Sequence, residues 1–233
     1  MEQIDYHHGE VPLTGWLARP SGLPRAAVVL YPTIVNVNEP MERRAKMLAD
    51  AGFIVLIADF YGKPVADFAA SQALAANLRS DPAYYRERIA AALSALRDVP
   101  AAHGLPMFAV GYCMGGGAAL EAARDGQYLV AAISFHGLLA TPLPAQPGAV
   151  KARLLVLHGD ADPMVPREQV IAFMEEMDQA GANWHLHAYS GVRHGFTDPG
   201  SDERDLDAVA YDASADRQSW AAMMSFLDEV LEA

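Results

Sequence analysis

The stretch that most constrains this chain is Met107-Phe-Ala-Val-Gly-Tyr-Cys-Met-Gly-Gly-Gly-Ala-Ala-Leu120. Met107 to Val110 is a short apolar run of the kind that fills a buried strand, and Gly115 to Leu120 opens a helix of small residues. Between them lies Gly111-Tyr112-Cys113-Met114-Gly115, a G-x-C-x-G turn. This is the nucleophile elbow, G-x-S-x-G, with sulfur in place of the hydroxyl oxygen. A strand that turns so sharply into a helix leaves no room for β-carbons beside the nucleophile, which explains the flanking glycines. The turn lifts the thiol above the carboxyl edge of a sheet, and the helix N-terminus behind it favours thiolate.

Two plainer readings compete at this point. A lone Cys after a strand is commonly a buried small hydrophobe. The glycines also fall where a dinucleotide-binding turn would place them, but the spacing is not G-x-G-x-x-G. Nor does Lys-Ser or Lys-Thr follow, as a phosphate loop requires. Partners elsewhere in the chain have to decide between these readings.

The rest of the chain alternates strand and helix. A strand pair ends near Ala18, and Ala26 to Tyr31 and Phe53 to Ala58 read as buried strands. Met41, Ala45 and Leu48 recur at helical spacing before Gly52. Ala66 to Arg97 is Ala-rich and helical, broken near Ser80-Asp81-Pro82, where Asp81 or Ser80 can cap a second helix. Ala131 to Phe135, Leu154 to Leu157 and Trp184 to Tyr189 are further strands. Arg167 to Ala180 is a helix closed by Gly181, and Trp220 to Leu231 marks a C-terminal one. Near-continuously apolar strands separated by helices predict an α/β fold with a mostly parallel central sheet and helices on both faces. With 233 residues and no linker long enough to divide them, residues 1–233 are expected to form one domain.

The bulk charge narrows the partners. The net charge is −12, from 17 basic and 29 acidic residues, which argues against nucleic acid and anionic membrane. No apolar run reaches membrane-spanning length, and the N-terminus lacks the basic and apolar regions of a signal peptide. A single Cys allows no internal disulfide, so a reducing cytoplasmic setting is expected.

Candidate partners for Cys113 come from two post-strand loops. His158-Gly-Asp160-Ala-Asp162-Pro-Met-Val-Pro166 follows one strand, and Ser190-Gly-Val-Arg-His194-Gly-Phe196 follows another. The order nucleophile, acid, histidine, with each residue after a strand, places all of them at the carboxyl edge of the sheet. His194 would hold a Cys113 thiolate as an ion pair, and an Asp on its other ring nitrogen would fix its tautomer. Asp160 and Asp162 both qualify, and both also suit an ordinary turn.

These motifs, with Asp59-Phe-Tyr-Gly62 and Phe135-His-Gly137, make the chain resemble the dienelactone hydrolase family from about Ala26 to the C-terminus. The resemblance implies an α/β-hydrolase fold, no cofactor, no metal, and a Cys-His-Asp triad that cleaves small-molecule esters and lactones. It favours Asp162 over Asp160, giving Cys113, Asp162 and His194, with backbone N–H groups of Met114 and Ile34 as the oxyanion hole. Two departures stand out. Family type members carry a Glu directly after the strand that here ends at Tyr31, where this chain has Thr33. They also place an Arg shortly after the catalytic His, where this chain has Asp198, an acid that would repel a substrate carboxylate. Arg79, Arg86 and Arg88 lie where another substrate-binding Arg could fall, but no motif fixes which, and each reads first as a solvated helix residue.

Tyr112, His136 and Phe196, with Thr33, are candidate pocket walls, with ordinary packing an equal reading for Tyr112 and Phe196, and 66–80 is a candidate lid. Glu39, Glu42, Arg43, Arg44 and Lys46 read as the solvated side of a helix. His185 and His187 share a strand face but lack a third ligand of suitable spacing, so an exposed face is expected. The alternatives are a general carboxylesterase or thioesterase, a binding protein with a relic site, and, more remotely, a dinucleotide-binding protein. A monomer or weak homodimer is expected.

Overall fold

The computed structural model describes residues 1–232 and is built on one sheet of eight strands in the order β1-β2-β4-β3-β5-β6-β7-β8. The strands are β1 (Glu2–His8), β2 (Val11–Ala18), β3 (Ala26–Tyr31), β4 (Phe53–Ile57), β5 (Met107–Tyr112), β6 (Ala131–Phe135), β7 (Arg153–Gly159) and β8 (Trp184–Tyr189). β1 and β2 form an antiparallel hairpin that joins the sheet through β4, and every other pairing is parallel. The hairpin shields one edge of the parallel part, and β8 forms the other.

The apolar runs explain how the helices are distributed. Strand side chains alternate between faces, so a continuous run supplies two cores. Val28, Leu30, Val55, Ile57, Val110, Ile133 and Leu157 face α1 (Glu39–Asp50) and α6 (Ala213–Glu232). Ala27, Val29, Leu56, Ala109, Ala132 and Val156 face the opposite layer. That layer holds α2 (Phe68–Arg79), α3 (Pro82–Arg97), α4 (Met114–Arg124) and α5 (Arg167–Ala180). The expected architecture is therefore present, including the break after α2, where the Asp81 side chain accepts from the N–H groups of Ala83 and Tyr84 with Pro82 in the first turn of α3. Gly181 closes α5 with a left-handed φ of 68°.

Two expectations about charged residues need correction. Arg44 is not on the solvated side of α1 but only 3% exposed, with its guanidinium paired to Asp216 of α6. The alternation around it is hydrophilic because Arg43 and Lys46 are exposed, which masks the one inward-facing cation. Arg88 is buried too, donating to the carbonyl of Phe60, the hydroxyl of Tyr84 and Nδ1 of His8. It ties α3 to the hairpin and is not available to a substrate. Among the described residues no helix is long and apolar enough to cross a membrane.

Candidate active site

Cys113, Asp162 and His194 follow β5, β7 and β8 at the carboxyl edge of the parallel strands. Cys113 follows the central strand β5 and precedes α4 with φ 55° and ψ −119°, a conformation L-residues rarely adopt. It is held there by close backbone packing. A β-carbon on Gly111 would lie 1.8 Å from the carbonyl oxygen of Gly115, and one on Gly115 would lie 2.0 Å from that of Tyr31. The strain is imposed by surroundings that leave no alternative path for the chain.

His194 and Asp162 meet as a pair. His194 Nδ1 and Asp162 Oδ2 are 2.7 Å apart, with both residues almost fully buried. The second carboxylate oxygen of Asp162 accepts the N–H of Met164 at 2.8 Å, which fixes the carboxylate plane. Asp160 points elsewhere and forms a two-point ion pair with the exposed Arg167. The segment around Val209 clamps the histidine loop, since His194 donates to Ala208 and accepts from Ala210. Nε2 of His194 is buried and makes no hydrogen bond of ordinary geometry, leaving that nitrogen to the thiol side of the site.

The electrostatics favour a charged couple. Burial pushes the Cys113 thiol up, but the adjacent His194 and the backbone groups of Met114 and Ile34 outweigh it and hold the thiol below its ordinary value. Burial likewise disfavours the His194 imidazolium, yet the Cys113 charge and the Asp162 hydrogen bond raise it to about 10. Both shifts run toward a thiolate beside an imidazolium. Thr33, at the position of the family Glu, lines the site without supplying a carboxylate beside the thiol.

Ile34 is positioned by a motif whose role the sequence did not disclose. Buried Asp59 accepts the N–H groups of Thr14, Tyr61 and Gly62 and the side-chain amide of Asn36. Asn36 returns a bond through Oδ1 to the N–H of Phe60, and the Tyr61 hydroxyl donates to the carbonyl of Ile34 at 2.9 Å. Asp59-Phe-Tyr-Gly62 is thus the frame on which the Ile34 loop is set.

A cavity of about 260 Å³ opens above Cys113. Thr33, Ile34, Tyr112, His136 and His194 line it, with Phe68 and Gln72 of α2, so the segment 66–80 borders the site. Tyr112 is fully buried and stacked on Phe135, contributing to the floor. Phe196 does not reach the cavity. It is fully buried, edge-on to His136 and tilted against Tyr189, because the chain after His194 turns inward at Gly195. Arg79 and Arg86 also lie outside it, and Arg86 is paired with Glu121. His185 and His187 lie on the exposed face of edge strand β8.

Sequence reasoning missed Arg44, Thr197, Arg204 and Asp216. Arg44 donates to the carbonyl of Thr197 at 3.0 Å and lies over the rings of Tyr112 and Trp220. Arg204 meets Asp198 at 2.7 Å, so the acid after the histidine does not stand alone. Nothing in local spacing announces these partners, which are brought together from α1, α6 and the loop after β8.

Comparisons with known proteins bear on the fold and the family. The family model described as "Dienelactone hydrolase family" matches residues 13–231. An uncharacterised protein of Caenorhabditis elegans is 39% identical over 149 residues, covering 62% of this chain and 92% of that one. A probable 2-oxo-3-(5-oxofuran-2-ylidene)propanoate lactonase from a Bradyrhizobium species is 28% identical over 210 residues, 84% of each chain. Among solved structures, a dienelactone hydrolase-like promiscuous phosphotriesterase from metagenomic libraries superposes with a TM-score of 0.94 at 34% identity, covering 98% of this chain and 97% of its own. An elbow at the head of the parallel sheet, helices on both of its faces and a family match over nearly the whole length lead to one conclusion: this chain belongs to the dienelactone hydrolase family, an ester and lactone hydrolase with the α/β-hydrolase fold.

Proposed function

We propose that the chain hydrolyses small-molecule esters or lactones through a Cys113, His194 and Asp162 triad and an acyl-enzyme. The observation that carries this reading is the 2.7 Å contact of His194 with Asp162 beside a thiol held below its ordinary pKa at a strained elbow. The Cys113 thiolate attacks the carbonyl carbon, and the carbonyl electron pair moves to oxygen, where the N–H groups of Met114 and Ile34 stabilise it. Collapse breaks the C–O bond, and the departing alkoxide takes the proton from His194 Nε2. A thioester remains on Cys113; with a lactone, the alcohol stays tethered to it.

Acylation also resets the histidine. Once sulfur carries the acyl group, the Cys113 charge no longer raises His194, so the imidazole becomes available as a base for water. Water gives its proton to Nε2 and adds to the thioester, and collapse returns thiolate, imidazolium and the carboxylic acid. Asp162 holds the ring throughout.

The test is hydrolysis of a short-chain 4-nitrophenyl ester by the native protein and by Cys113→Ala. Activity lost with the thiol, together with a burst of nitrophenol equal to enzyme, fits the acyl-enzyme route. Full activity in Cys113→Ala refutes it. A phosphotriester run in parallel checks a second reaction, since a relative at 34% identity is described as a promiscuous phosphotriesterase.

A further inference from the structure

Every formal charge on the cavity wall already has a partner. Among the residues lining it, these are Arg44, Asp198, Arg204 and the Cys113–His194 couple. Arg44 is committed to Asp216 and to the Thr197 carbonyl, with its side chain only 4% exposed. Arg204 is held by Asp198 Oδ2 at 2.7 Å, while Asp198 Oδ1 accepts the N–H of Gly200 and so anchors the turn that carries them both. The rest of the wall is largely apolar, and Phe68, Met164 and Leu206 stand half-exposed around its mouth.

We infer that the cavity selects uncharged esters and lactones with apolar substituents, and that the Asp198–Arg204 pair sets this selectivity. The inference rests on the cavity being the ester site proposed above. A carboxylate entering the cavity would shed water against an apolar wall. It would then meet an Arg204 whose charge Asp198 already offsets, with Asp198 itself repelling it. An uncharged ester pays neither penalty. Asp198 is therefore a specificity-determining residue, acting by occupying the one cation that lies on the cavity wall and is not buried beneath it.

The prediction is a change of preference on removing one negative charge. Asp198→Asn keeps a side-chain oxygen for the Gly200 N–H, so the turn is preserved, and releases Arg204 toward the cavity. Two matched substrate pairs serve as probes. The first is 4-nitrophenyl hydrogen adipate and its methyl ester, with the charge on the acyl half. The second is 4-acetoxybenzoate and its methyl ester, with the charge on the alcohol half. The readout is kcat/KM for the anion divided by that for its neutral partner, within each variant.

The native enzyme should favour the neutral member of both pairs. Asp198→Asn should raise the anion-to-neutral ratio about tenfold or more in the pair whose charge reaches Arg204, the size expected for one charge-assisted hydrogen bond. Asp198→Asn combined with Arg204→Gln should lose that gain, and Arg204→Gln alone should lower the ratio below native. Native turnover of either anion as fast as its methyl ester overturns the inference, as does an unmoved ratio in Asp198→Asn. Failure of the native enzyme on both neutral esters would instead strike at the ester-hydrolase mechanism itself, so the two failures are distinguishable.

Discussion

His136 accepts the backbone N–H of Cys113 through Nδ1 at 3.1 Å, and its Nε2 lies 2.9 Å from the hydroxyl of Thr197. The amide of strained Cys113 is therefore shared between the Phe135 carbonyl and an imidazole from the next strand loop. Because Nδ1 accepts, the proton sits on Nε2 and is donated to Thr197. Burial, then the charge of His194, pushes the His136 pKa well below its ordinary value, so the ring stays neutral beside a cationic neighbour 5.1 Å away.

His136 is thus a positioning residue, and its removal should act on kcat. His136→Ala should lower kcat about tenfold to a hundredfold, with KM changing less, as expected for a small displacement of the attacking atom. His136→Asn should recover most of the loss. Its amide oxygen can take the Cys113 N–H, and Asn tolerates the positive φ of 39° found here. Equal activity of the two variants would show that the imidazole serves only as filler.

The Ile34 loop yields a second expectation. Asn36 bridges Asp59 and the N–H of Phe60 from a left-handed φ of 63°. Asn36→Gly keeps that backbone conformation and deletes only the side-chain bonds. If Ile34 supplies an oxyanion donor, steady-state kinetics should show kcat down by roughly tenfold to a hundredfold, below the ~10²–10³ for losing such a donor outright. Binding of the resting ester should be little affected. A rise in KM alone would mean the loop merely shapes the pocket.

The buried Arg44–Asp216 pair should govern stability. Removing one partner leaves an uncompensated charge, which costs about 3–5 kcal/mol. For a chain of this length that corresponds to a fall in Tm of roughly 6–20 °C for Arg44→Met. The double variant Arg44→Met with Asp216→Leu should regain at least half of it, because no buried charge is left behind. Calorimetry of the four proteins separates this from simple loss of packing, which the double variant would not repair.

How much of this was legible beforehand depends on the range of the interaction. The elbow, the strands and the capped break before Pro82 are local patterns, and each appears where its spacing placed it. Asp162 and Asp160 were separable only by family resemblance, since both sit in one turn, and the distance to His194 depends on the register of β7 against β8. Arg44 was misread because helical charge spacing does not reveal that α6 brings Asp216 across to α1 from 172 residues away. Of the two readings open for Phe196, pocket wall and ordinary packing, the structure takes the second for a similar reason. Which way a side chain points after a tight glycine turn is decided by that turn, not by its distance from the histidine.

The last prediction concerns Asp162 and pH. Its hydrogen bond raises His194, and the resulting imidazolium helps hold the Cys113 thiol down. Asp162→Asn removes the carboxylate, so His194 should lose its proton at a lower pH and the thiol should titrate at a higher one. Iodoacetamide alkylation of the native protein should therefore have its midpoint below the ordinary thiol value of about 8.5. In Asp162→Asn that midpoint should move upward. On the proposed mechanism the alkaline limb of kcat/KM follows loss of the imidazolium, so it should move downward at the same time. The kcat itself should fall about a thousandfold to ten-thousandfold, as when a triad histidine loses the acid that fixes its tautomer. An unchanged alkylation midpoint would show that Asp162 orients the ring without setting its charge.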